Sequence, residues 1–259
     1  MIKNTHQNVC LISGGAGFLG SNFCKFFLEK NYKVLCVDKN KKNLKKLSSL
    51  KLKNLTTYYC DITKHNEVEK LFKNISKNFI VNVLINSAAI DAVPFKKKNK
   101  IEKFPDIRNW DRELDTSLKG SFLMIKFFGE SMIKRKYGSI INIGSDLSVI
   151  APNQKIYRSS YSNYIKPVTY SAIKHGLVGL TKYFASLYAD NNVRVNMVSP
   201  GPVKNKQSKK LLKEIKAMTP MARLGKPSDL FGLLFLLANN ESSYITGQNI
   251  LVDGGKTII

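Results

Sequence analysis

Two residues with acid–base chemistry lie four positions apart in the segment YSAIK. Tyr170 and Lys174 share one face if this segment is helical. A free phenol titrates at a pH of about 10, so it exchanges protons poorly near neutrality. A neighbouring ammonium stabilises the phenolate and brings its titration toward the working range. The pair is a candidate proton donor and acceptor, although a Y-x-x-x-K spacing also arises by chance on ordinary helix surfaces.

A glycine-rich segment near the start, SGGAGFLG, has the residue types of a dinucleotide-binding loop. It follows an apolar run and precedes a helical pattern, and its glycines satisfy the G-x-G-x-x-G spacing. Glycine permits the tight turn and lets the backbone approach a pyrophosphate, while the helix N-terminus offers N–H groups. The candidate cofactor-binding residues here are Gly14, Gly15, Ala16, Gly17, Phe18, Leu19 and Gly20.

An acidic residue ends the second apolar run. Asp38 stands 18 residues after Gly20, where a carboxylate accepts hydrogen bonds from the adenosine ribose and repels a 2′-phosphate. We therefore expect NAD as the cofactor. Lys39, Lys41 and Lys42 follow at once and could offset that repulsion, or could form the solvated start of a helix, so NADP stays open.

Short apolar runs alternate with longer helical patterns along the chain. This alternation predicts a parallel sheet with right-handed crossovers and helices on both faces. No repeat or linker divides the sequence, so we predict a single doubly wound α/β domain over residues 1–259. Two long polar segments, 92–110 and 147–169, follow strand ends and are predicted to be functional loops. The strand candidates are residues 9–13, 33–37, 56–60, 81–86, 139–144, 193–198 and 249–252.

The net charge of +24 is unusual, but its lysines are spread along the whole chain together with abundant asparagine. No nucleic-acid recognition motif accompanies them, so we expect no nucleic-acid partner. No apolar run approaches the roughly 20 residues that cross a bilayer, and the first residues lack a signal-peptide pattern. We therefore expect no membrane partner and a cytoplasmic location.

The cysteines and histidines are scattered. Cys10, Cys24, Cys36 and Cys60 lie in apolar segments, with no CxxC pair and no histidine at a metal-like spacing. This pattern is typical of buried, reduced thiols, so we expect neither a disulfide framework nor a metal site.

Together with YSAIK and the glycine loop, further motifs make the sequence resemble the compact branch of the short-chain dehydrogenase/reductase family. CDIT resembles its adenine-contacting strand end, NSAA its N-N-A-G turn, and IINIGS the strand that carries its catalytic serine. NMVSPGPV resembles the loop at the nicotinamide, and TGQNILVDGG the C-terminal strand. The resemblance covers essentially the whole chain and implies a Rossmann-type fold and an NAD(P)-dependent oxidoreductase.

The resemblance also implies a role for each matching residue. Tyr170 exchanges the proton with the substrate oxygen, Lys174 also binds the nicotinamide ribose, and Ser145 hydrogen-bonds the reacting oxygen. Ser148 is a fallback for this serine. The implied cofactor contacts are Asp61, Ile62, Asn86, Ser87, Ala88, Tyr170, Lys174, Pro200, Gly201, Val203 and Asn205.

Three departures from the family pattern matter. The glycine spacing resembles the longer epimerase branch, whose extra C-terminal domain has no room after VDGG. Ser117 replaces the asparagine that helps to hold a water in the family's proton relay, so activity is reduced or the relay is arranged differently. Ser145 and Tyr170 lie 25 residues apart, a longer separation than is usual, which predicts an insertion over the active site.

The expected reaction interconverts a secondary alcohol and a ketone. The insertion resembles that of a flagellin-modification and sialic-acid-like sugar subgroup, and its tyrosines and cations (Tyr157, Tyr161, Tyr164, Lys155, Arg158, Lys166) suit an anionic, sugar-like small molecule. One alternative is a 3-oxoacyl carrier-protein reductase with an acidic carrier. The other is an NAD-binding sensor or scaffold. The resemblance also implies a homodimer or homotetramer formed through the helices containing residues 107–133 and 170–190.

Overall fold

The computed structural model describes residues 7–90, 107–161 and 164–259. These residues form a seven-stranded sheet in which every neighbouring pair of strands is parallel. The strand order is β3-β2-β1-β4-β5-β6-β7. The strands are β1 Val9–Ser13, β2 Lys33–Asp38, β3 Leu55–Tyr59, β4 Val83–Asn86, β5 Gly138–Ile143, β6 Val193–Pro200 and β7 Asn249–Val252. The predicted single-domain, doubly wound α/β fold is confirmed, with strand bounds shifted by at most a few residues.

Helices connect the strands and cover both faces of the sheet. A continuous helical stretch over 107–135 contains two π-helical turns, Asp115–Lys119 and Ile125–Gly129. The α-helices are α1 Phe18–Glu29, α2 Lys41–Ser48, α3 His65–Ser76, α4 Ile107–Leu114, α5 Gly120–Met124, α6 Glu130–Arg135, α7 Gln154–Ser160, α8 Val168–Tyr188, α9 Lys209–Ala217 and α10 Phe231–Ala238. None of the helices in these described ranges is long and apolar enough to span a membrane.

The core has two layers because the central strands are buried on both faces. Every residue of β1, β5 and β6 is buried, which explains why apolar residues dominate β1 and why the polar side chains of β5 and β6 are buried as well. One apolar cluster joins the sheet to α3, α5 and α8, and a second cluster joins it to α1, α2 and α10. Burial on both faces fixes the strands rigidly beneath the loops that follow them.

The chain direction creates a crevice between β1 and β4. The first three strands run outward from β1 to β3, and the chain then crosses back to place β4 beside β1, with Ser13 opposite Asn86. Ligands of open α/β sheets bind at such a switch point, outside the carboxyl ends of the strands. Helix α1 begins shortly after β1, so its N-terminus lies at this crevice.

The segment 147–169 is not the irregular loop that its polar composition predicted. It contains α7, whose N-terminus is capped by Asn153 through a 3.0 Å hydrogen bond from the Lys155 amide to Oδ1. Ile156 is the buried residue of this helix and packs in an apolar cluster with Leu211 and Ile215 of α9, so contacts with α9 hold the helix in place. Of the other predicted loop, 92–110, residues 92–106 lie outside the described residues, and Ile107 begins α4.

Candidate active site

A cavity of about 560 Å³ opens at the carboxyl ends of the strands. Its walls come from the loops after β1, β2, β3, β4, β5 and β6, together with α7, α8 and α9. Most of the residues predicted from the sequence line it, although they are distributed over the whole chain. These are Gly14, Gly17, Phe18, Leu19, Gly20, Asp38, Asp61, Ile62, Ser87, Ala88, Ser145, Tyr170, Lys174, Pro200, Gly201, Val203 and Asn205.

The glycine loop after β1 is packed too closely for side chains. Gly14 has a φ of +68°, and a Cβ there would lie 2.6 Å from the Cα of Ala88. A Cβ at Gly20 would lie 2.2 Å from the carbonyl oxygen of Gly14. The loop therefore presents bare backbone and the N-terminus of α1 to the cavity, which is the arrangement that cradles a pyrophosphate.

Gly15 and Ala16 belong to the loop but do not line the cavity. The Gly15 amide donates to the Val37 carbonyl at 3.1 Å, and a Cβ on Gly15 would lie 2.8 Å from the Cys36 Sγ. These two residues therefore support the loop against β2, and their predicted contact with the cofactor stays a prediction.

Asp38 lines the cavity at the end of β2 and is held in place by two backbone amides. Its Oδ2 accepts a 3.1 Å hydrogen bond from the Ala16 amide, and its Oδ1 accepts one of 2.9 Å from the Asn40 amide. The neighbouring Lys39 places its Nζ 3.7 Å from the Asp61 Oδ2. The cation that follows Asp38 is therefore directed to a second carboxylate.

Asp61 and Ile62 line the cavity beyond Asp38, after β3. Burial alone raises the pKa of Asp61, but hydrogen bonds from the Thr63 amide and hydroxyl and the charges of Lys39 and Lys64 lower it. The net pKa lies below the ordinary value, so this carboxylate is ionised near neutrality.

Asn86 ends β4, but its side chain points away from the cavity into a buried chain of hydrogen bonds. Its Nδ2 donates to the Asn142 Oδ1 at 2.9 Å, and the Asn142 Nδ2 donates to the Thr181 Oγ1 at 2.9 Å. Asn86 thus ties β4 to β5 and α8, while Ser87 and Ala88 line the cavity. The side chain of Asn86 therefore has a supporting role, and the predicted contact of this residue with the cofactor stays a prediction.

Ser145, Tyr170 and Lys174 converge on the cavity from β5 and α8. The Lys174 Nζ donates to the Ile143 carbonyl at 3.0 Å and lies 5.6 Å from the centroid of the Tyr170 ring. Ser145 follows the end of β5 and is buried. Ser148, the fallback serine, bonds to Ser199 and Asn249 and lies outside the lining. Ser145 is therefore the serine that lines the same cavity as Tyr170.

A buried ion pair beside Ser145 was not predicted. The Ser145 hydroxyl donates to the Asp146 Oδ1 at 2.8 Å, and the Lys256 Nζ lies 2.6 Å from the Asp146 Oδ2. Both charged side chains are less than a tenth exposed. Because the partners are 110 residues apart, no local sequence signal could have found this pair.

Ser117 lies in the first π-helical turn and is buried, but it does not line the cavity, whereas its neighbour Thr116 does. The Thr116 hydroxyl donates to the Arg112 carbonyl at 2.8 Å. π-Helical turns inside longer helices often mark functional sites. The structure therefore places the predicted relay position one residue from the cavity, with Thr116 as the side chain that reaches it.

The insertion between Ser145 and Tyr170 contributes to the cavity through part of its predicted set. Tyr157 and Lys166 line it, whereas Lys155 and Arg158 are exposed and outside the lining. The Tyr161 hydroxyl oxygen accepts a 3.1 Å hydrogen bond from the Ser208 amide at the start of α9. Tyr161 therefore anchors the insertion to α9 rather than facing the cavity.

The lack of a metal site and of disulfides that the sequence suggests stays a prediction. No group of three His, Cys, Asp or Glu side chains in these residues has metal-binding geometry. All four cysteines are free and buried. Burial raises the pKa of Cys10, and it raises the pKa of Cys60 to about 12.

Comparison with known proteins agrees with this geometry. A protein-family model described as enoyl-(acyl carrier protein) reductase matches residues 17–257. The 3-oxoacyl-(acyl-carrier-protein) reductase FabG of Thermotoga maritima is 30% identical over 262 residues, covering 96% of this chain and 98% of the relative. The chain belongs to the short-chain dehydrogenase/reductase family. As a member, it is an NAD(P)-dependent oxidoreductase.

Two further relatives show how broad this family is. The NAD-dependent glycerol dehydrogenase of Listeria innocua is 30% identical over 262 residues, covering 98% of this chain and 96% of the relative. A short-chain dehydrogenase from Leptospira borgpetersenii, solved with bound NAD+, has a TM-score of 0.85 and 30% identity. That alignment covers 99% of this chain and 97% of the other. The names of these relatives specify different substrates, so family membership does not identify the substrate of this dehydrogenase.

Proposed function

We propose that this dehydrogenase uses NAD to interconvert a secondary alcohol and a ketone, with Tyr170 as the proton-transfer residue. The observation that carries the proposal is that Tyr170, Lys174 and Ser145 line the same cavity as the bare glycine loop and Asp38. A dinucleotide held by the loop would lie in the same cavity as the tyrosine. Bound NAD supplies the hydride chemistry, while the protein supplies position and electrostatics.

In this proposal Tyr170, Lys174 and Ser145 each have a separate role. Tyr170 gives its phenolic proton to the ketone oxygen during reduction and takes it back during oxidation. Lys174 is fixed by the Ile143 carbonyl, so its ammonium stays beside the phenol and stabilises the phenolate. Ser145 orients the reacting oxygen, and its own position is fixed by Asp146.

The preference for NAD over NADP rests on Asp38. Its carboxylate stands at the end of β2, where the adenosine ribose of a cofactor on the glycine loop would lie. A 2′-phosphate there would meet this negative charge. Lys39 does not cancel it directly, because its ammonium is held near Asp61.

The substrate proposed is an anionic, sugar-like molecule. Tyr157 offers an aromatic face and Lys166 a cation to the cavity that Tyr170 also lines. Aromatic faces pack on the C–H surfaces of sugar rings, and ammonium groups hold carboxylates or phosphates. Both side chains come from the insertion, which supports a role for this segment in substrate choice.

A second candidate is the reduction of a 3-oxoacyl group on an acidic carrier protein. The cavity also has an apolar wall, formed by Ile156, Leu211, Ile215 and Met218, that would suit an acyl chain. The exposed lysines of α9 stand beside this wall and would suit an acidic carrier; they are Lys209, Lys210, Lys213 and Lys216. The Thermotoga relative bears the name of this activity.

Initial rates distinguish the two candidates. A hexuronic acid and a nonulosonic acid with NAD+ test the first, an acetoacetyl thioester with NADH tests the second, and isopropanol serves as the neutral control. The proposal expects the highest kcat/KM for an anionic sugar and a selective rise in KM after Tyr157→Ala. Faster turnover of the thioester would favour the carrier-protein reaction, and no turnover of any substrate would favour an NAD-binding sensor.

We also propose that the chain forms homo-oligomers through the outer face of the helical stretch 107–135 and α8. Tyr183 is 64% exposed and Leu187 is 55% exposed, and they border a groove with Phe122. Exposed apolar patches of this kind commonly mark contacts between proteins. Sedimentation of Leu187→Glu tests this, with a shift to monomer expected.

A further inference from the structure

The catalytic tyrosine has a second ammonium group on its ring. The Lys166 Nζ lies 3.9 Å from the centroid of the Tyr170 ring, closer than the 5.6 Å of the Lys174 Nζ. Lys166 is only 4% exposed, which is unusual for a lysine. An ammonium over an aromatic face is attracted by the ring, and the attraction grows when both groups are removed from water.

The insertion is built to hold this lysine at the ring. The Gln154 side-chain amide accepts a 2.9 Å hydrogen bond from the Lys166 amide and donates one of 3.1 Å to the Lys166 carbonyl. Gln154 is the first residue of α7, and Pro167 then leads directly into α8. The start of the insertion's helix is thus tied to the residue four positions before Tyr170.

Among the residues that the structure describes, the other charged groups near Tyr170 add positive charge or have partners of their own. From its own helix, Lys174 adds a second positive charge. From the loop after β5, the Asp146 carboxylate is paired with Lys256 and accepts from Ser145. From α4, the Glu113 carboxylate accepts a hydrogen bond from the hydroxyl of Thr169. Both carboxylates thus have other partners, while two ammonium groups face the phenol.

We propose that Lys166 is a second cation that stabilises the phenolate of Tyr170, so that the insertion sets the pH range of proton exchange. This inference rests on the proposed role of Tyr170. An opposite charge within about 4–6 Å favours the ionised form of a group by about 1–3 pH units. Lys166 acts through Tyr170, so it is a positioning residue for the reaction.

The direction of the effect follows from the chemistry. Oxidation needs the phenolate, so its rate rises with pH as Tyr170 loses its proton. Reduction needs the phenol, so its rate falls as pH rises through the same range. Removing the Lys166 charge raises the pH at which Tyr170 titrates, so the pH profiles of oxidation and of reduction both shift to higher pH.

The test is the ionisation of Tyr170 in Lys166→Met and Lys166→Arg. Tyrosinate absorbance is titrated in each background with and without Tyr170→Phe, and the difference isolates this one phenol among the eleven tyrosines of the chain. We expect Lys166→Met to raise its titration by about 1 pH unit or more. Lys166→Arg keeps the charge and should restore the wild-type titration. Lys155→Met, which removes an exposed cation from α7, is the matched control and should change nothing.

The pH profile of kcat/KM for alcohol oxidation gives the second readout. The substrate is the alcohol that is oxidised fastest in the screen above. Lys166→Met should shift the rising part of the profile to higher pH by the same number of pH units. At a fixed pH below that rise, kcat/KM should fall by about tenfold. Lys166→Gln serves if the methionine variant fails to fold. If neither the Tyr170 titration nor the pH profile of kcat/KM shifts, the inference is overturned, even if kcat is lower or KM is higher. Wild-type activity of Tyr170→Phe would instead overturn the proposed function.

Discussion

The Lys174 Nζ donates a 3.0 Å hydrogen bond to the carbonyl oxygen of Ile143, the last residue of β5. This bond links the helix that carries Tyr170 to the strand that delivers Ser145. It also fixes the ammonium within reach of the phenol ring. The geometry of the proposed catalytic groups is therefore set by the junction of α8 and β5, which both contribute side chains to the core.

Lys174→Ala should impair two functions at once. The variant removes the charge that stabilises the phenolate and, under the proposed function, the contact to the nicotinamide ribose. We expect turnover to fall by about 10²-fold or more and the Kd for NADH to rise. NADH fluorescence titration and initial rates measure the two effects separately. Loss of turnover with unchanged NADH affinity would contradict the ribose contact.

The preference for NAD should depend on the Asp38 charge. The wild-type protein should bind NADH more tightly than NADPH at matched ionic strength. Asp38→Asn keeps a side-chain oxygen for the Ala16 amide but removes the charge. Asp38→Asn should weaken NADH binding by about tenfold, because a hydrogen bond to a charged group contributes about 1.5–3 kcal/mol. Lys42→Met, at an exposed residue outside the cavity, is the control. A clear wild-type preference for NADPH would be incompatible with the role given to Asp38.

The buried pair of Asp146 and Lys256 should matter for stability. Lys256→Met leaves a buried carboxylate without its cation, which costs about 3–5 kcal/mol of the free energy of unfolding. Adding Asp146→Asn should recover part of this loss. Lys73→Met breaks a pair of the same 2.6 Å length, with Glu69, that is exposed, so little change is expected. Urea unfolding measures all three, and equal effects of Lys256→Met and Lys73→Met would contradict the account.

The four cysteines should be unreactive in the folded protein. All are buried, and burial raises the pKa of Cys60 to about 12, so thiolate is scarce at pH 8. A colorimetric thiol reagent at pH 8 should detect no fast-reacting group before unfolding and four after unfolding in guanidinium. A thiol that reacts rapidly in the native protein would show that its segment opens readily.

The sequence predicted the strands and the glycine loop well because both signals are local. Unbroken apolar runs such as VCLIS can only be satisfied by burial on both faces, and Gly14 and Gly20 are required by close backbone contacts. It could not predict which way a side chain turns at a strand end. Asn86 therefore reads as a cofactor contact although its amide is bonded to Asn142.

Contacts that span the chain were also invisible in the sequence. Lys256 pairs with Asp146 across 110 residues, and Tyr161 reaches α9 instead of the cavity. Lys166 was one of several cations in a lysine-rich chain, and only the fold shows that it lies on the ring of Tyr170. Because lysines are abundant along the whole chain, the sequence does not distinguish this buried lysine from the exposed ones.

The most direct test of the account is the Tyr170→Phe variant, measured for NADH binding and for turnover on the same preparation. Removing a general acid costs about 10²–10⁴ in rate, while the cofactor cradle is untouched. We expect unchanged NADH affinity with turnover reduced by that factor, and wild-type behaviour from Tyr244→Phe, whose side chain is fully exposed. A Tyr170→Phe enzyme that turns over at the wild-type rate would contradict the central claim.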